Sequence, residues 1–236
     1  MGIKSNDPAS SYFNFFGATG RATADIPGAP TPGIEATGGL ISDYEDSGQT
    51  YRTHIFNSSG SLVVNSVSAG PQPDVADILI VAGGGGGASG AGWGGGAGGG
   101  GVLETTSFTL TAITYPITIG GGGSTGGVDS GDGSQGGNTV FIDPAGPTTH
   151  TATGGGYGSH PSAGGEGGSP GGPGENKPAS PTNVQGNSSP FTGYGNVAGH
   201  PSGSNSAVGG GGAGSSSISP ATKYPNRETP NGPTPI

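Results

Sequence analysis

The chain contains no cysteine, which excludes disulfide frameworks, thiolate metal sites and a cysteine nucleophile. Basic residues are almost as scarce: six Lys and Arg stand against fifteen Asp and Glu, a formal charge of −9. That balance argues against nucleic acid or an anionic membrane as the main partner, since both are held by clustered positive charge. The acids are scattered, as solvating residues are. Long apolar runs are missing too, and the longest, Ile78–Ala82, is far short of the roughly 18 residues of a membrane span. No charged-then-apolar leader opens the sequence as given, and Asn6 stands where a myristoylation signal needs Ser or Thr. Neither Sec export nor membrane insertion is expected.

Core-forming residues are thin as well. Leu, Ile, Val and Phe number 36 of 236 residues, below the level that usually supports a globular core. Yet 22 of the 36 lie between Tyr51 and Ile142, which places one modest β-rich core there and nowhere else.

What the chain has in abundance is glycine, 57 residues, with 21 prolines beside it. The stretch around which the rest is organised runs from Ala76 to Leu103: the apolar strand Asp77–Ala82 feeds directly into Gly83–Gly101, nineteen residues of which fourteen are glycine. Interior glycines cost roughly 0.8–1 kcal/mol each in a helix, so none is expected. Counted in threes from Gly83, Ala88, Ala91 and Ala97 share one phase, and the other two phases are glycine except for Ser89 and Trp93. Three residues per turn is the period of the polyproline II helix, which has no internal hydrogen bonds. Helices of this kind packed side by side pair their outward N–H and C=O groups with one another, and only glycine permits that approach on every side.

Taken in order, residues 1–24 carry the aromatic cluster Tyr12, Phe13, Phe15 and Phe16, read as a peg that attaches the chain to another protein or another copy. Residues 25–50, with Pro27, Pro30, Pro32 and then Asp43, Glu45 and Asp46, read as a linker. Residues 51–158 read as a small antiparallel β-domain. Tyr51–Asn57 and Ser61–Val67 are expected to form a hairpin closed by Ser58-Ser59-Gly60. Strands at Val102–Thr111, Ile113–Ile119, Asn138–Ile142 and Thr148–Thr153 alternate with further glycine segments at Gly120–Gly137 and from Gly154. The fold class is therefore all-β, with long glycine excursions forming packed polyglycine II helices. Residues 159–218 continue the glycine pattern, Tyr157, His160, Ala163, Glu166 and Ser169 falling on one phase of three. Residues 219–236, rich in proline, read as an extended tail.

Catalytic chemistry has little to stand on. The many G-x-G-x-x-G matches after Asp77 lack the helix N-terminus that holds a pyrophosphate. His54, His150, His160 and His200 have no metal-ligand spacing, and no cofactor is expected. Asp129, Asp132 and Asp143 on glycine loops are the one Ca²⁺ candidate, with a solvated acidic loop as the preferred reading. The sparse aromatics Trp93, Tyr157, Phe191 and Tyr194 either plug gaps between the glycine helices and the β-domain, or between subunits, or are contacts to a ligand. Trp93, Tyr157 and Tyr194, with His160 and His200, form the candidate surface-contact set.

Several of these elements together resemble the glycine-rich domain of bacteriophage virion and tail-fibre proteins. The matching stretches are His54-Ile55-Phe56 with Ser59–Leu62, Ala76–Ala82 with its glycine run, and Gly101–Leu103 with Phe108–Leu110. Tyr115 with Ile117–Gly120, Gly137–Phe141 and Thr151–Gly155 complete the set, covering residues 51–158. The resemblance implies a β-sandwich carrying polyglycine II bundles, as in fibre-tip adhesins of phages, and a location on the virion surface. It further implies a homotrimer and contact with a host glycan or receptor; residues 1–24, which lie outside the resemblance, then read as the segment that attaches to other virion proteins, and no enzymatic activity is expected. A purely structural capsid, neck or tail protein is the alternative.

Overall fold

The computed structural model describes residues 33–46, 49–68, 73–89, 94–127, 131–160, 162–174, 181–182, 184–199 and 209–212. The calls on Tyr12, Phe13, Phe15, Phe16, Trp93, Asp129, His200 and the 219–236 tail lie outside these residues. Among the described residues there are ten strands and no helix. They are β1 (Glu35–Thr37), β2 (Leu40–Asp46), β3 (Gln49–Ile55), β4 (Gly60–Ser66), β5 (Val75–Val81), β6 (Val102–Thr109), β7 (Thr114–Thr118), β8 (Thr139–Asp143), β9 (Thr148–Ala152) and β10 (Thr192–Tyr194). A five-stranded sheet, β1-β4-β7-β8-β9, and a three-stranded sheet, β10-β6-β5, pack as an antiparallel sandwich, while β2 and β3 pair with each other.

The sandwich is filled by alternating residues from both sheets, as period-2 burial requires. Val64, Ile80, Leu103, Phe108, Tyr115 and Phe141 are buried in one cluster. Its centre is aromatic: Tyr115 stacks on Phe141 at 5.4 Å, and Phe108 meets Phe141 edge-on at 5.4 Å. Such pairs add about 0.5–1.5 kcal/mol beyond the area they bury. The Tyr115 hydroxyl accepts the Thr111 amide at 2.9 Å, so full burial of the ring leaves its polar end satisfied.

His150 is also in this core, 1% exposed, with its ring 4.5 Å from that of Phe191 and Nδ1 2.9 Å from the Ser188 hydroxyl. Burial pushes its pKa below the ordinary histidine value, against opposing pulls from the Asp143 charge and from Ser188. Phe191 itself, 2% exposed, comes from the region expected to lack a core. It enters through a short turn in which the Ser188 and Phe191 backbones bond reciprocally, at 3.0 and 2.7 Å. Phe191 is thus packing, not ligand contact.

Several expectations are corrected. Strand β3 does not form a hairpin with β4; it pairs with β2, Asp46 opposite Gln49, across the two residues Ser47-Gly48. The linker reading of 25–50 gives way to β1 and β2 over Glu35–Asp46. Two causes act together. A two-residue connection closes β2 on β3, while Ser59, expected in a tight turn, instead accepts the Ile119 amide at 3.0 Å and grips the end of β7. Gly38 (φ 118°) and Gly39 (φ 65°) turn the chain out of β1 into β2, a backbone that L-residues rarely adopt. Strand β5 is an edge strand with Leu79 and Val81 outward. In β6 the inward phase slips between Thr105 and Phe108, because Thr106 and Ser107 oppose the single residue Asp77 in a bulge.

The glycine segments are an ordered bundle with a three-residue period. In the first excursion, Ala82, Gly85 and Ala88 donate to the carbonyls of Gly101, Gly98 and Gly95, at 3.0, 2.9 and 3.1 Å. The second closes on itself with the same step, Gly137 to Gly121 and Ser134 to Ser124. Arm 83–89 then donates to the second excursion, from Gly83, Gly86 and Ser89 to Gly137, Ser134 and Gly131. It also accepts from Gly155 and Gly158 of the third excursion. This recurrence is that of polyglycine II helices packed side by side.

Glycine is required because carbonyls occupy the space of a Cβ: at Gly85 it would overlap the Gly156 carbonyl, and at Gly156 the Gly165 carbonyl. Pro170 and Pro173 are buried in the same bundle, their fixed φ already suiting the three-residue helix. The one-edge arrangement of Tyr157 to Ser169 does not hold. The chain turns back after His160, leaving Glu166 exposed and Ser169 at 0% exposure.

Two consequences are measurable. Gly156→Ala should cost about 1–3 kcal/mol or more by overpacking, whereas Gly121→Ala, with nothing within 4 Å of the added methyl, should stay within roughly 0.5 kcal/mol; equal losses in denaturant unfolding would contradict the bundle. His150 favours the fold only while neutral. Its stabilising share is present above pH ~6.5 and falls by up to about 1.4 kcal/mol per unit as pH drops below that value, because the unfolded chain takes up the proton first. The Tm should therefore drop on acidification more steeply in the parent than in His150→Phe, and identical slopes would contradict a buried neutral ring.

Candidate functional site

All three glycine excursions leave the same end of the sandwich. The strands feeding them are β5 and β6 from one sheet and β7, β8 and β9 from the other. Each outgoing arm is short. From Gly83 to Ser89 the chain advances about 20 Å at ~3.1 Å per residue. The arms keep step through their cross-links, so their far ends meet. Ser89 and Gly131 exchange hydrogen bonds of 3.1 and 2.9 Å, the Ser89 hydroxyl bonds the Gly127 carbonyl, and Gly95 donates to Ser159 at 3.0 Å.

One carboxylate ties these ends together. Asp132 Oδ1 accepts from the Ser159 hydroxyl at 2.6 Å and from the His160 amide at 2.7 Å, while the Ser159 hydroxyl accepts from the Ser162 amide at 3.1 Å. Ser159 is wholly buried, and His160 keeps Nδ1 buried without a hydrogen-bond partner among the described residues. The far end is thus a small polar surface of backbone amides, hydroxyls, one carboxylate and one imidazole. Among the described residues the sole Lys or Arg is Arg52, on β3.

The sequence-derived candidates do not all gather there. His160 does. Tyr157 lies one turn back, half-buried, its ring over Gly165 where a methyl could not fit. Tyr194 is 41% exposed on β10, opposite Val102 at the base of the bundle. It lines an open groove of about 320 Å³ with Glu104, Thr106, Ser107, Pro190 and Thr192. The Ca²⁺ reading also dissolves for the described members. Asp132 holds the third excursion, and Asp143 caps its own turn through the Ala145 amide at 3.0 Å. Among the described residues no three His, Asp or Glu side chains come together as a metal site.

Sequence reasoning missed the side chains that anchor the bundle. Asn138 Oδ1 accepts the Gly154 amide at 2.8 Å, and Gln185 Oε1 accepts the Thr153 amide at 2.7 Å. Gln185 Nε2 also donates to the Gly186 carbonyl at 2.9 Å. The available signal was weak, a carboxamide next to glycine at each junction, Gly137-Asn138 and Gln185-Gly186, among other polar residues.

The profile of a family described as a glycine-rich domain matches residues 57–234. The match runs well past the 51–158 covered by the resemblance and takes in all three excursions. No curated protein and no solved structure matches the chain.

If Asp132 is the tie between excursions, Asp132→Ala should leave the sandwich intact and speed exchange of the His160 and Ser162 amides by roughly 10–100-fold, the equivalent of losing hydrogen bonds to a charged group. Unchanged exchange at both amides would contradict that role.

Proposed function

The chain belongs to the glycine-rich domain family, and from that premise we propose that it is a non-catalytic bacteriophage virion protein. It serves as a subunit of a tail fibre or other appendage that contacts the host surface, and it works within a homo-oligomer. The observation that carries the reading is the convergence of three excursions at one end of the sandwich, tied by Asp132 to Ser159 and His160. A hydrogen-bonded platform that carries the excursion ends about 20 Å from a β-scaffold has the layout of a recognition surface. The backbone amides and hydroxyls of the described surface suit a hydroxyl-rich ligand such as a glycan.

A purely structural role in the particle is the second reading. It is favoured by Tyr157, whose ring packs on Gly165 instead of standing clear.

The two readings separate in one experiment. Labelled full-length protein is titrated onto a panel of bacterial cells, and its competition with phage adsorption is measured. The recognition role predicts saturable binding that blocks adsorption and weakens at least tenfold in His160→Ala. Folded protein that binds no cell on the panel would transfer the chain to the structural reading.

A further inference from the structure

The β2–β3 ribbon stands apart from the sandwich. Among the described residues its strands pair only with each other, and all seven residues of β2 are exposed. A lone two-stranded ribbon is marginal in water. This one is reinforced on its outer side by Arg52, which donates through Nε and a terminal nitrogen to both oxygens of Asp43, each at 2.8 Å. At its base His54 Nδ1 donates to the Gly38 carbonyl at 2.8 Å.

The register sorts its side chains into two unlike faces. Cross-strand partners share a face and successive pairs alternate. One face carries Ile41 with His54, Asp43 with Arg52, and Glu45 with Thr50. The other carries Leu40 with Ile55, Ser42 with Thr53, Tyr44 with Tyr51 and, at the tip, Asp46 with Gln49. On this second face Leu40 is 64% exposed, Tyr44 54%, Ile55 46% and Tyr51 43%, with the two tyrosine rings stacked at 5.3 Å.

We propose that this apolar face is a contact between two copies of the chain, stacked face to face with their tips in opposite directions. From the base, the first three pairs on this face run apolar, small polar, apolar, symmetric about Ser42 and Thr53, with Asp46 and Gln49 beyond them at the tip. A two-fold axis through that middle pair sets Leu40 over the partner's Tyr44 and Ile55 over the partner's Tyr51, the self-complementarity an isologous contact requires. Charge points the same way. Copies of a chain at −9 repel, but the three pairs in contact are uncharged, Asp43 is matched by Arg52 on the outer face, and the Asp46 tips lie at opposite ends. Three ribbons in parallel about a three-fold axis, as in the trimer implied by the family resemblance, would instead crowd three Asp46 carboxylates together. Seven residues span roughly 23 Å, so the stacked pair buries on the order of 500 Å². That is about half of what a stable free-standing interface needs, and the contact forms at the high local concentration of an assembly.

The inference rests on the homo-oligomeric part of the proposed function alone. Its test uses the absence of native cysteine. Stacked ribbons lie about 10 Å apart, beyond disulfide reach, so full-length Ser42→Cys is treated with a short bis-maleimide, and Thr50→Cys on the opposite face serves as the control. Ser42→Cys should give a two-chain product at least ten times faster than Thr50→Cys, and adding Tyr44→Ser should cut that rate several-fold. Equal rates at the two positions, no two-chain product at the highest soluble concentration, or a three-chain species in sedimentation would each overturn it. Cross-linking by a chain that binds no host cell would leave this inference standing and remove the recognition role; binding without cross-linking would do the reverse.

Discussion

The approach of one backbone to another, with no side chain between them, is the constraint on which the rest of this structure depends. A polyglycine II helix makes no hydrogen bonds of its own, so an isolated one leaves every amide to water and gains nothing from order. Packed against neighbours it satisfies those groups, at a spacing a single methyl would prevent. The carbonyl of Gly156 sits where the Cβ of residue 85 would be, and the carbonyl of Gly165 where that of residue 156 would be. Glycine here takes the place that apolar side chains hold in an ordinary core.

The β-sandwich is what makes the packing worthwhile. Its strands deliver the arms at one end in fixed positions, so the entropy of bringing them together is met by the sheet ladders and the aromatic core, and each hydrogen bond in the bundle then comes at small further cost. Carboxamides guard the junctions, where Asn138 and Gln185 receive the amides of Gly154 and Thr153. At the far end Asp132 does the same between excursions. A short core, an ordered glycine lattice and a small polar tip thus form one chain of dependence. The tip keeps its geometry only while the lattice holds, and the lattice only while the sandwich aligns it.

Much of this was legible in the residue order. The three-residue phase of Ala88, Ala91 and Ala97 announced the period that the hydrogen bonds from Ala82, Gly85 and Ala88 then follow, and the strand segments between Val102 and Thr153 stand close to where they were expected. What failed was partnership. Which strand pairs with Tyr51–Ile55 depends on a tertiary competition between the Ser47-Gly48 connection and the grip of Ser59 on Ile119, and no local period encodes it. Phe191 stood out as a sparse aromatic with a packing reading open to it, but nothing around it, Ser, Pro and Thr, told that it fills the sandwich beside His150. Of the candidate contact residues, His160 lies at an excursion end, whereas Tyr194 lies on a strand at the base of the bundle and Tyr157 is half-buried against Gly165. The contact between Asp132 and Ser159 joins residues 27 apart and exists only once the arms are aligned.

The central claim is that the glycine arms are hydrogen-bonded to one another in register, and scalar couplings across hydrogen bonds test it most directly. In uniformly labelled protein, couplings between the amide nitrogens of Ala82, Gly85 and Ala88 and the carbonyl carbons of Gly101, Gly98 and Gly95 should all be observed, each three residues from the next. Their absence, with those amides exchanging in seconds, would show the excursions to be solvated loops and would remove the platform on which the proposed function stands.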